Sequence, residues 1–490
     1  MTQRPDTHPS RCSVTQEHRL LFNRRMNDGR TQPVCAAYVI DGPLDVAKLR
    51  AALGTLARRH DALRMYFPVG DDPLAMAVRP DDEASWPLEV VSLLDLPSGD
   101  ERDGRAQTLL EAFCDRPFDL ASGPLVAALL IQISERRNIL GLTLEHLVCD
   151  GISQTLLFEE LSGLMAGPAP LTSASSASST SSSVSTGQGG PAACYAAYSE
   201  KQRHALGPDS APVRFWNEQF HQHGVYPPTL RPSDKLAPAP LTTGPSAHVE
   251  VELPAAFSEH LKEITAATRT TPFMVYLSLL TYGLRDGLLD DWLGVVFMES
   301  GRRGAETRRL IGNFAFELCA WTPLDPDDGI HDVLGRVRDS VATSIGHALP
   351  LWWATRRYVS REGARETFDP SRLDERFTTP WMYFSVSDPR ANPLKLPDAQ
   401  VEPYPARVEI PYMRTPLLMA TAVAGDASTK LSFDFAQGGY DPAALESVLA
   451  SAAAAAAELA ASPSRSASPA PPSPSRSASP SSPPSPPSVR

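Results

Sequence analysis

The 490-residue sequence lacks the short motifs that mark several common enzyme classes. It has no Gly-x-Ser-x-Gly elbow, no Walker loop, no dinucleotide-binding glycine fingerprint after a strand and no His-Glu-x-x-His motif. Its carboxylates are thinly spread, and no paired-acid motif occurs apart from Glu145 beside His146. These absences argue against the nucleotide-binding, zinc-protease and esterase chemistries that such motifs serve.

The six cysteines, at positions 12, 35, 114, 149, 194 and 319, include no Cys-x-x-Cys pair. Structural zinc sites usually show such closely spaced pairs, and disulfides are uncommon in a reducing cytosol. We therefore expect free thiols, no metal site and no disulfide framework.

Long apolar runs and excess positive charge are also missing. The best run, Leu125 to Ile133, is about half the length that crosses a bilayer, and the first residues lack an apolar signal region. A net charge of −12 argues against nucleic acid as a partner. We expect a cytoplasmic, monomeric protein that contacts neither membrane nor nucleic acid.

Two segments fall outside the predicted fold. Residues 172–191 are nearly all Ser, Ala, Thr and Gly, which predicts a flexible loop. Residues 461–490 are rich in Ser and Pro, which predicts a disordered tail, and we assign this tail no function.

The rest of the chain alternates helical and strand patterns, enough for two domains of roughly 200 residues each. Helices are predicted over residues 46–60, 152–165, 257–268, 272–289 and 441–459. Strands are predicted over residues 62–68, 125–134 and 292–298, with a turn at 135–138 leading into a strand that ends near His146. The fold class is therefore mixed α/β.

Residues 145–151, Glu-His-Leu-Val-Cys-Asp-Gly, are the most informative part of the chain. Leu140, Leu142 and Leu144 alternate with smaller residues, as in a half-buried strand. His146 continues this leucine face and should point inward, whereas Glu145 should point the other way. The predicted helix at 152–165 follows, so the motif lies at a strand–loop–helix junction.

These residues permit two interpretations. His146 could be a general base, because an imidazole with a pKa of about 6.5 is mostly neutral and accepts protons at pH 7. Asp150 could then touch the imidazole, as in a triad, or pair with an arginine and hold the loop. Alternatively, His146 is a core residue and Asp150 caps the helix.

Other segments carry a resemblance to the condensation-domain family of nonribosomal peptide synthetases, which shares its two-lobed fold with chloramphenicol acetyltransferase. The family motif His-His-x-x-x-Asp-Gly matches residues 145–151, with Glu145 in place of the first histidine. The further segments that resemble family motifs, in family order, are 13–18, 59–67, 117–125, 195–198 with 215–216, 301–302 with 311–314, and 440–441.

This resemblance implies two chloramphenicol-acetyltransferase-like lobes in a V-shaped pseudo-dimer, with an active-site tunnel between them. The N-terminal lobe would comprise residues 11–171, and residues 192–460 would form a connecting segment and the C-terminal lobe. The activity implied is acyl transfer from a carrier-protein phosphopantetheine thioester to an amine or alcohol. The protein itself would bind no cofactor, and its partners would be the carrier protein and a small-molecule acceptor.

The same resemblance implies roles for individual residues. His146 corresponds to the catalytic histidine, and Asp150 to a structural aspartate that salt-bridges an arginine. Arg302 is the first candidate for that arginine, followed by Arg64 and Arg59. Gly151 would allow the backbone to approach the acyl carbonyl closely.

Three departures from the family pattern concern the site. Glu145 replaces a histidine, and a buried carboxylate there would raise the basicity of His146 or need its own cation. Phe316 stands where an asparagine is usual, and Trp321 where an arginine often occurs.

Three functions remain open from the sequence. The first is a free-standing condensation enzyme, because no adenylation or carrier motif occurs in the chain. The second is an O-acyltransferase that uses coenzyme A thioesters. The third is a non-catalytic recruitment module, suggested by the departures at Glu145, Phe316 and Trp321.

Overall fold

The computed structural model describes residues 10–26, 33–167, 194–207, 210–224, 228–238, 244–361, 380–387, 394–404, 412–413, 417–425 and 428–463. The serine-rich segment 172–191 and the tail from residue 464 lie outside these described residues. The fold is mixed α/β, as the sequence predicts.

The first half of the chain is built around a five-stranded sheet in the order β12-β2-β7-β6-β5. Only the β5–β6 pair is parallel. Its strands are β2 (Pro33–Asp41), β5 (Leu88–Ser92), β6 (Val126–Gln132), β7 (Arg137–Glu145) and β12 (Gln400–Pro403). A small sheet beside it contains β1 (Ser10–Arg11), β3 (Met65–Tyr66) and β4 (Ala75–Val78).

Helices cover both faces of the five-stranded sheet, so β7 is buried on both sides rather than half-buried as predicted. Leu140, Leu142 and Leu144 join a core with helices α2 (Val46–Arg59) and α4 (Gly151–Ala166). On the other face, Gly141 lies under helix α3 (Asp100–Cys114), where an added Cβ would approach Leu110 Cδ1 to 2.9 Å.

The second half of the chain forms a seven-stranded sheet in the order β10-β9-β11-β14-β15-β8-β13. Its strands are β8 (Gly244–Glu252), β9 (Trp292–Glu299), β10 (Phe316–Pro323), β11 (Trp381–Ser387), β13 (Tyr412–Met413), β14 (Leu417–Ala424) and β15 (Thr429–Ala436). The accompanying helices are α6 (Ala211–His223), α7 (Ala255–Thr268), α8 (Pro272–Leu284), α9 (Ile330–Gly346), α10 (Leu351–Arg361) and α11 (Pro442–Ala461). These elements enclose the largest hydrophobic core of the described residues.

Helix α11 is long and apolar enough to span a membrane by composition alone. One side of it is nevertheless part of the second core, with Leu445, Leu449, Ala452, Ala456 and Leu459 fully or almost fully buried. That packing identifies it as a core helix of this fold.

Two helices connect the halves. Helix α1 (Val14–Met26) and helix α5 (Tyr195–Ala205) contact each other, and α1 also contacts α10 of the second half. In return, β12 from the second half pairs antiparallel with β2, with Val401 opposite Ile40. Leu394 and Leu396 enter the first core. The two halves therefore interlock.

Two predicted elements differ in the structure. The segment predicted as a strand at 62–68 is a 3₁₀ turn at Asp61–Arg64 followed by the two-residue β3. A short apolar run is ambiguous between strand and helix, and here it packs as a turn after α2. Helix α8 ends at Leu284 instead of 289, because a 3₁₀ turn follows at Arg285–Gly287.

The expectation of free thiols is wrong for two cysteines. Cys35 of β2 and Cys114 at the end of α3 form a disulfide, with their Cα atoms 5.5 Å apart. They are 79 residues apart in the chain, so no local spacing indicated the pair. The four cysteines at positions 12, 149, 194 and 319 are free.

Candidate active site

The segment 145–151 forms a tight loop between two rigid elements. Strand β7 ends at Glu145 and helix α4 begins at Gly151. The Val148 amide donates to the Glu145 carbonyl at 3.0 Å, and the Gln16 side-chain amide of α1 donates to the Leu147 carbonyl at 2.7 Å. The loop is thus fixed both by its own turn and by a helix far away in the sequence.

His146 lies in this turn and is partly buried. Its Nδ1 is 3.2 Å from the carbonyl oxygen of Cys149. Because a carbonyl only accepts, this contact assigns the proton to Nδ1 and leaves Nε2 with its lone pair. The ring is therefore oriented as a proton acceptor.

Burial, and to a smaller extent the positive charge of Arg19, lowers the pKa of His146 to about 4. The Cys149 carbonyl and the carboxylate of Asp150 act in the opposite direction, but their effects are smaller. The imidazole is therefore neutral at pH 7. The net shift is downward because desolvation dominates; of the two outcomes expected for a carboxylate at position 145, the structure shows the interaction with a cation, Arg19.

Asp150 is the N-cap of α4 and a hub of buried hydrogen bonds. Its Oδ1 accepts from the Ser153 amide at 2.7 Å, and its Oδ2 accepts from the Phe314 amide at 3.0 Å. Arg302 Nη2 lies 3.1 Å from Oδ1, and the side chains of Asp150 and Arg302 are 2% and 4% exposed. The Asp150 carboxylate thus holds the loop to the 302–314 segment. It is not the partner of the His146 imidazole, because Nδ1 is bound to the Cys149 carbonyl.

Arg302 contacts Asp150 and also the backbone of its own segment, residues 302–314. Its Nη1 donates to the carbonyls of Thr307 and Leu310 at 2.6 and 2.7 Å, and its guanidinium lies over the Phe314 ring at 4.1 Å. The arginine is fixed on several sides, so the Asp150 carboxylate receives a rigid cation.

Ser153 is a site residue that the sequence analysis missed. It is fully buried, and its Oγ donates to the Gly312 carbonyl at 2.7 Å. The same oxygen accepts from the Gly312 amide at 3.0 Å and from Arg302 Nη2 at 2.7 Å. The 311–314 block identified by resemblance was the available signal, but nothing in the sequence indicated its serine partner.

Gly312 is required at this contact because there is no room for a side chain. A Cβ there would lie 1.9 Å from the Tyr195 ring. The Tyr195 hydroxyl donates to the Asn313 carbonyl and also hydrogen-bonds Ser13 Oγ at 2.9 Å. Three segments named by the resemblance, near residues 13, 195 and 312, therefore meet beside the loop.

The other two arginine candidates lie elsewhere. Arg64 Nη2 pairs with Asp81 Oδ1 at 2.8 Å. Arg64 also lines a separate cavity of about 210 Å³, together with Arg79 and Pro124 among others. Arg59 Nη1 lies 3.6 Å from the carboxylate of Glu160. Neither contacts Asp150, because both belong to the surroundings of α2.

Glu145 is fully buried. The sequence predicted that it points away from the leucine face, but the opposite face of β7 is also covered, so both directions lead into the protein. The carboxylate interacts electrostatically with Arg19, whose pKa it raises against the lowering effect of burial. Because this chain has Glu145 where the family motif has a histidine, a carboxylate lies inside the protein, one residue before His146.

The remaining predicted positions differ in their surroundings. Gly151 is exposed, and a Cβ added there meets no atom within 4 Å, so open space adjoins the loop at this point.

Phe316 begins β10 near Gly301. Trp321 lies in the second core against Trp216, so the tryptophan serves packing. Among the described residues, no group of three or more His, Cys, Asp and Glu side chains is arranged to hold a metal ion.

Solved structures share this architecture over nearly the whole chain. The condensation domain of the monacolin K polyketide synthase MokA aligns with a TM-score of 0.70 at 17% identity, covering 94% of this chain and 98% of that chain. The X-domain in the teicoplanin complex with OxyB aligns with a TM-score of 0.66 at 19% identity, over 95% and 97%. An epimerization domain of tyrocidine synthetase B also aligns, with a TM-score of 0.63 at 14% identity, over 95% and 99%. These similarities establish the two-lobed chloramphenicol-acetyltransferase-like fold.

Curated relatives include a tripeptide synthetase and a chondramide synthase. The phosphinothricin tripeptide synthetase PhsC of Streptomyces viridochromogenes is 31% identical over 353 residues, 70% of this chain and 30% of PhsC. The chondramide synthase cmdD of Chondromyces crocatus is 26% identical over 441 residues, 88% of this chain and 10% of the synthase. The chain thus spans less than a third of either relative.

A family model described as "Condensation domain" matches residues 11–351, which include the His146 loop, the 302–314 segment and both connecting helices. Since this match covers well over half of the 490 residues, the chain belongs to the condensation-domain family of nonribosomal peptide synthesis.

Proposed function

We propose that this protein transfers an acyl group from a carrier-protein phosphopantetheine thioester to an amine or alcohol. The observation that carries the proposal is the orientation of His146, whose Nδ1–H is bound by the Cys149 carbonyl so that Nε2 is available. The similarity to a tripeptide synthetase supports acyl transfer of this kind. A cytoplasmic location and an association with a carrier protein form part of the proposal.

In the proposed reaction, the acceptor nitrogen or oxygen attacks the thioester carbonyl carbon. Nε2 of His146 accepts a hydrogen bond from the acceptor N–H or O–H and, as the new bond forms, its proton. The C–S bond then breaks, and the departing thiolate takes up that proton to give the free phosphopantetheine thiol. The products are an amide or ester and a thiol, with no net change in redox state or proton count.

A neutral histidine with a low pKa suits this role. The free-energy barrier is lowered mainly by holding two reactants together, an effect that reaches about 7–11 kcal/mol in favourable cases. The histidine then needs to orient the acceptor and accept its proton late. The buried ion pair of Asp150 and Arg302 supports that orientation, because it fixes the loop end from which α4 starts.

The test is a single-turnover assay with an acyl-loaded carrier protein and a panel of amine and alcohol acceptors. We expect His146→Ala to lower the rate of product formation by roughly 10²–10⁴-fold, the usual contribution of general acid–base catalysis. His260→Ala is the matched control, since His260 is a partly exposed histidine on α7 whose Nδ1 hydrogen-bonds the Ala256 carbonyl of its own helix. Equal product from wild type and His146→Ala would overturn the catalytic assignment.

The same assay separates two other functions. Faster turnover of acyl-coenzyme A than of the acyl-carrier thioester would indicate the coenzyme A-dependent O-acyltransferase. Carrier binding without any product would indicate a recruitment module. The structural similarity to an X-domain solved in complex with OxyB is the observation that keeps this last function under test.

A further inference from the structure

The first turn of helix α1 is closed by two reciprocal hydrogen bonds that orient the side chain of Gln16. The Gln16 backbone amide donates to Ser13 Oγ at 3.0 Å, and the Ser13 amide donates to Gln16 Oε1 at 2.9 Å, which is the capping-box arrangement. Because Oε1 accepts from a backbone amide, Nε2 is the donor on the other side of the group. It donates to the Leu147 carbonyl at 2.7 Å, so the helix cap directs a donor to the His146 turn.

The hydrogen bond between Gln16 and Leu147 is shielded from solvent, since both residues are 0% exposed. A buried carbonyl that loses its donor is costly, because water cannot take the donor's place. The Leu147 carbonyl lies in the turn between His146 and Cys149, whose own carbonyl holds Nδ1 of the imidazole. Loss of the Gln16 donor should therefore shift the peptide groups of this turn and weaken the contact at Nδ1.

The next two residues of α1 contact other parts of the protein. Glu17 Oε1 lies 3.0 Å from Arg356 Nη1 of α10, and its Oε2 lies 2.8 Å from Arg203 Nη2 of the connecting helix α5. His18 stacks on Trp352 of α10, with ring centroids 4.9 Å apart and an interplanar angle of 14°. Consecutive residues of one helix therefore bind the His146 turn and the second half of the protein.

The two ion pairs of Glu17 differ in how firmly the arginine is held. Arg203 also donates from Nε to the Cys12 carbonyl, next to the start of α1. Arg356 approaches from α10, and its side chain is 42% exposed, whereas that of Glu17 is 6% exposed. Replacing Arg356 leaves the buried carboxylate paired with Arg203, so the protein should still fold.

We propose that Gln16 is a positioning residue for His146, and that the contact between α1 and α10 determines where Gln16 lies. Residues of one helical turn move together because backbone hydrogen bonds fix their relative positions. A displacement of α10 that carries Glu17 and His18 with it therefore also moves the donor on Leu147. Gln16 touches no reacting atom and acts only through the turn. The catalytic consequence rests on the proposed function, whereas the effect on the imidazole does not.

The experiment measures which ring nitrogen of His146 carries the proton, by ¹⁵N NMR of the full chain at pH 7. The signals are assigned by their loss in His146→Ala. In the wild type the Nδ1–H form should predominate, because the Cys149 carbonyl accepts that proton. Gln16→Met, which keeps the length of the side chain but has no N–H donor, should increase the fraction of the Nε2–H form.

The dependence on α10 is tested in the same measurement. Arg356→Met should shift the ratio of the two ring forms in the same direction as Gln16→Met, by a smaller amount. Arg357→Met is the matched control on the same helix, since Arg357 is exposed and lies over Trp353 at 4.3 Å. It should leave the ratio as in the wild type.

An unchanged ratio in folded Gln16→Met would overturn the positioning role. An unchanged ratio in Arg356→Met, or an equal shift in Arg357→Met, would overturn the dependence on α10. Ser13→Ala removes the Oγ that caps α1 and leaves Gln16 in place. It should shift the ratio in the same direction, and it supplies the test of the positioning role if Gln16→Met does not fold.

No substrate is present in these measurements, so their result does not depend on whether the protein is a transferase. If transfer is also found, kcat should fall in Gln16→Met by up to about 100-fold, the usual effect of a misplaced catalytic group. A purely structural glutamine would lower the amount of folded protein without changing the proton position on the ring.

Discussion

At the residue scale, one backbone carbonyl determines which nitrogen of His146 would serve as base in the proposed reaction. The Cys149 oxygen takes the Nδ1 proton, a role that a carboxylate fills in a Ser-His-Asp triad. Asp150 instead uses its oxygens on Ser153, Phe314 and Arg302. A neutral acceptor on Nδ1 gives less stabilisation to an imidazolium than a carboxylate would, which fits a histidine that stays neutral through most of the reaction.

The depressed pKa of His146 predicts a stability change with pH. The folded-state pKa of about 4 lies below the unfolded value of about 6.5, so the unfolded chain binds more protons between these values. The free energy of unfolding should therefore fall as the pH drops from about 6.5 to about 4. Urea titrations across this range, compared between wild type and His146→Ala, should show a shallower fall in the variant. The same slope in both proteins would contradict the assigned burial.

The Asp150–Arg302 pair predicts a large loss of stability when one partner is removed. Arg302→Met leaves a buried carboxylate without its cation, so we expect a loss of about 3–5 kcal/mol in denaturant unfolding. Arg231→Met is the matched control, because its pair with Asp290 is largely exposed on the arginine side and should contribute about 1 kcal/mol or less. Similar losses in the two variants would mean that burial does not set the strength of the pair.

The predictions for individual residues differ in how far the sequence could support them. The choice of Arg302 as the partner of Asp150 rested on the resemblance, and the structure contains that ion pair. The directions of Glu145 and His146 were inferred from strand alternation, but the strand stops at Glu145 and the turn re-aims His146. The alternation of apolar residues does not show at which residue a strand ends. It also does not show that a second layer of helices covers the other face of the sheet.

At the scale of elements, the N-terminus of α4 is locked to the 311–314 block. Ser153 makes two hydrogen bonds to the backbone of Gly312 and accepts a third from Arg302. The helix patterns of α2, α4 and α11 were visible in the sequence because each buries one apolar side, whereas α8 is buried all round from Met274 to Thr281 and was visible as an apolar run. The lock was not visible, because it joins residues about 160 positions apart through polar groups that leave no periodic pattern.

Removing the hydrogen bonds between Ser153 and Gly312 should make the His146 loop more mobile without unfolding either hydrophobic core. Ser153→Ala removes the partner of a buried amide, so we expect a loss of about 1–3 kcal/mol in thermal or urea unfolding. Transfer activity should fall as well, because α4 anchors the end of the His146 loop. Thr155→Ala is the control, since Thr155 is exposed and bonds only within its own helix. An unaffected Ser153→Ala protein would show that the contact is dispensable.

At the scale of the whole molecule, the first sheet is completed by a strand from the second half. β12 lies along β2, and Gly42 at the end of β2 packs so closely that a Cβ would lie 2.6 Å from the Ala399 Cα. The sequence predicted two lobes and mixed α/β structure, but no local pattern could show that residues 400–403 return to the first sheet. Long-range pairing depends on the global path of the chain.

The close approach at Gly42 predicts a specific lesion. Gly42→Val should displace β12 from the edge of the sheet and cost about 1–3 kcal/mol, the usual range for overpacking a tight contact. Hydrogen exchange should then lose protection at residues 400–403 while β6 and β7 stay protected. Gly70→Val is the control, since Gly70 has open space around it. Retained protection at 400–403 would contradict the role assigned to Gly42.

The return of β12 also sets rules for recombining this protein with its relatives. A chimera joined anywhere between residues 168 and 193 would bring a foreign edge strand onto β2, together with foreign partners for Leu394 and Leu396. Residues 394–404 therefore belong with the first 167 when lobes are exchanged. Donor segments chosen by contiguity alone would carry a mismatch inside the lobe that was meant to stay native.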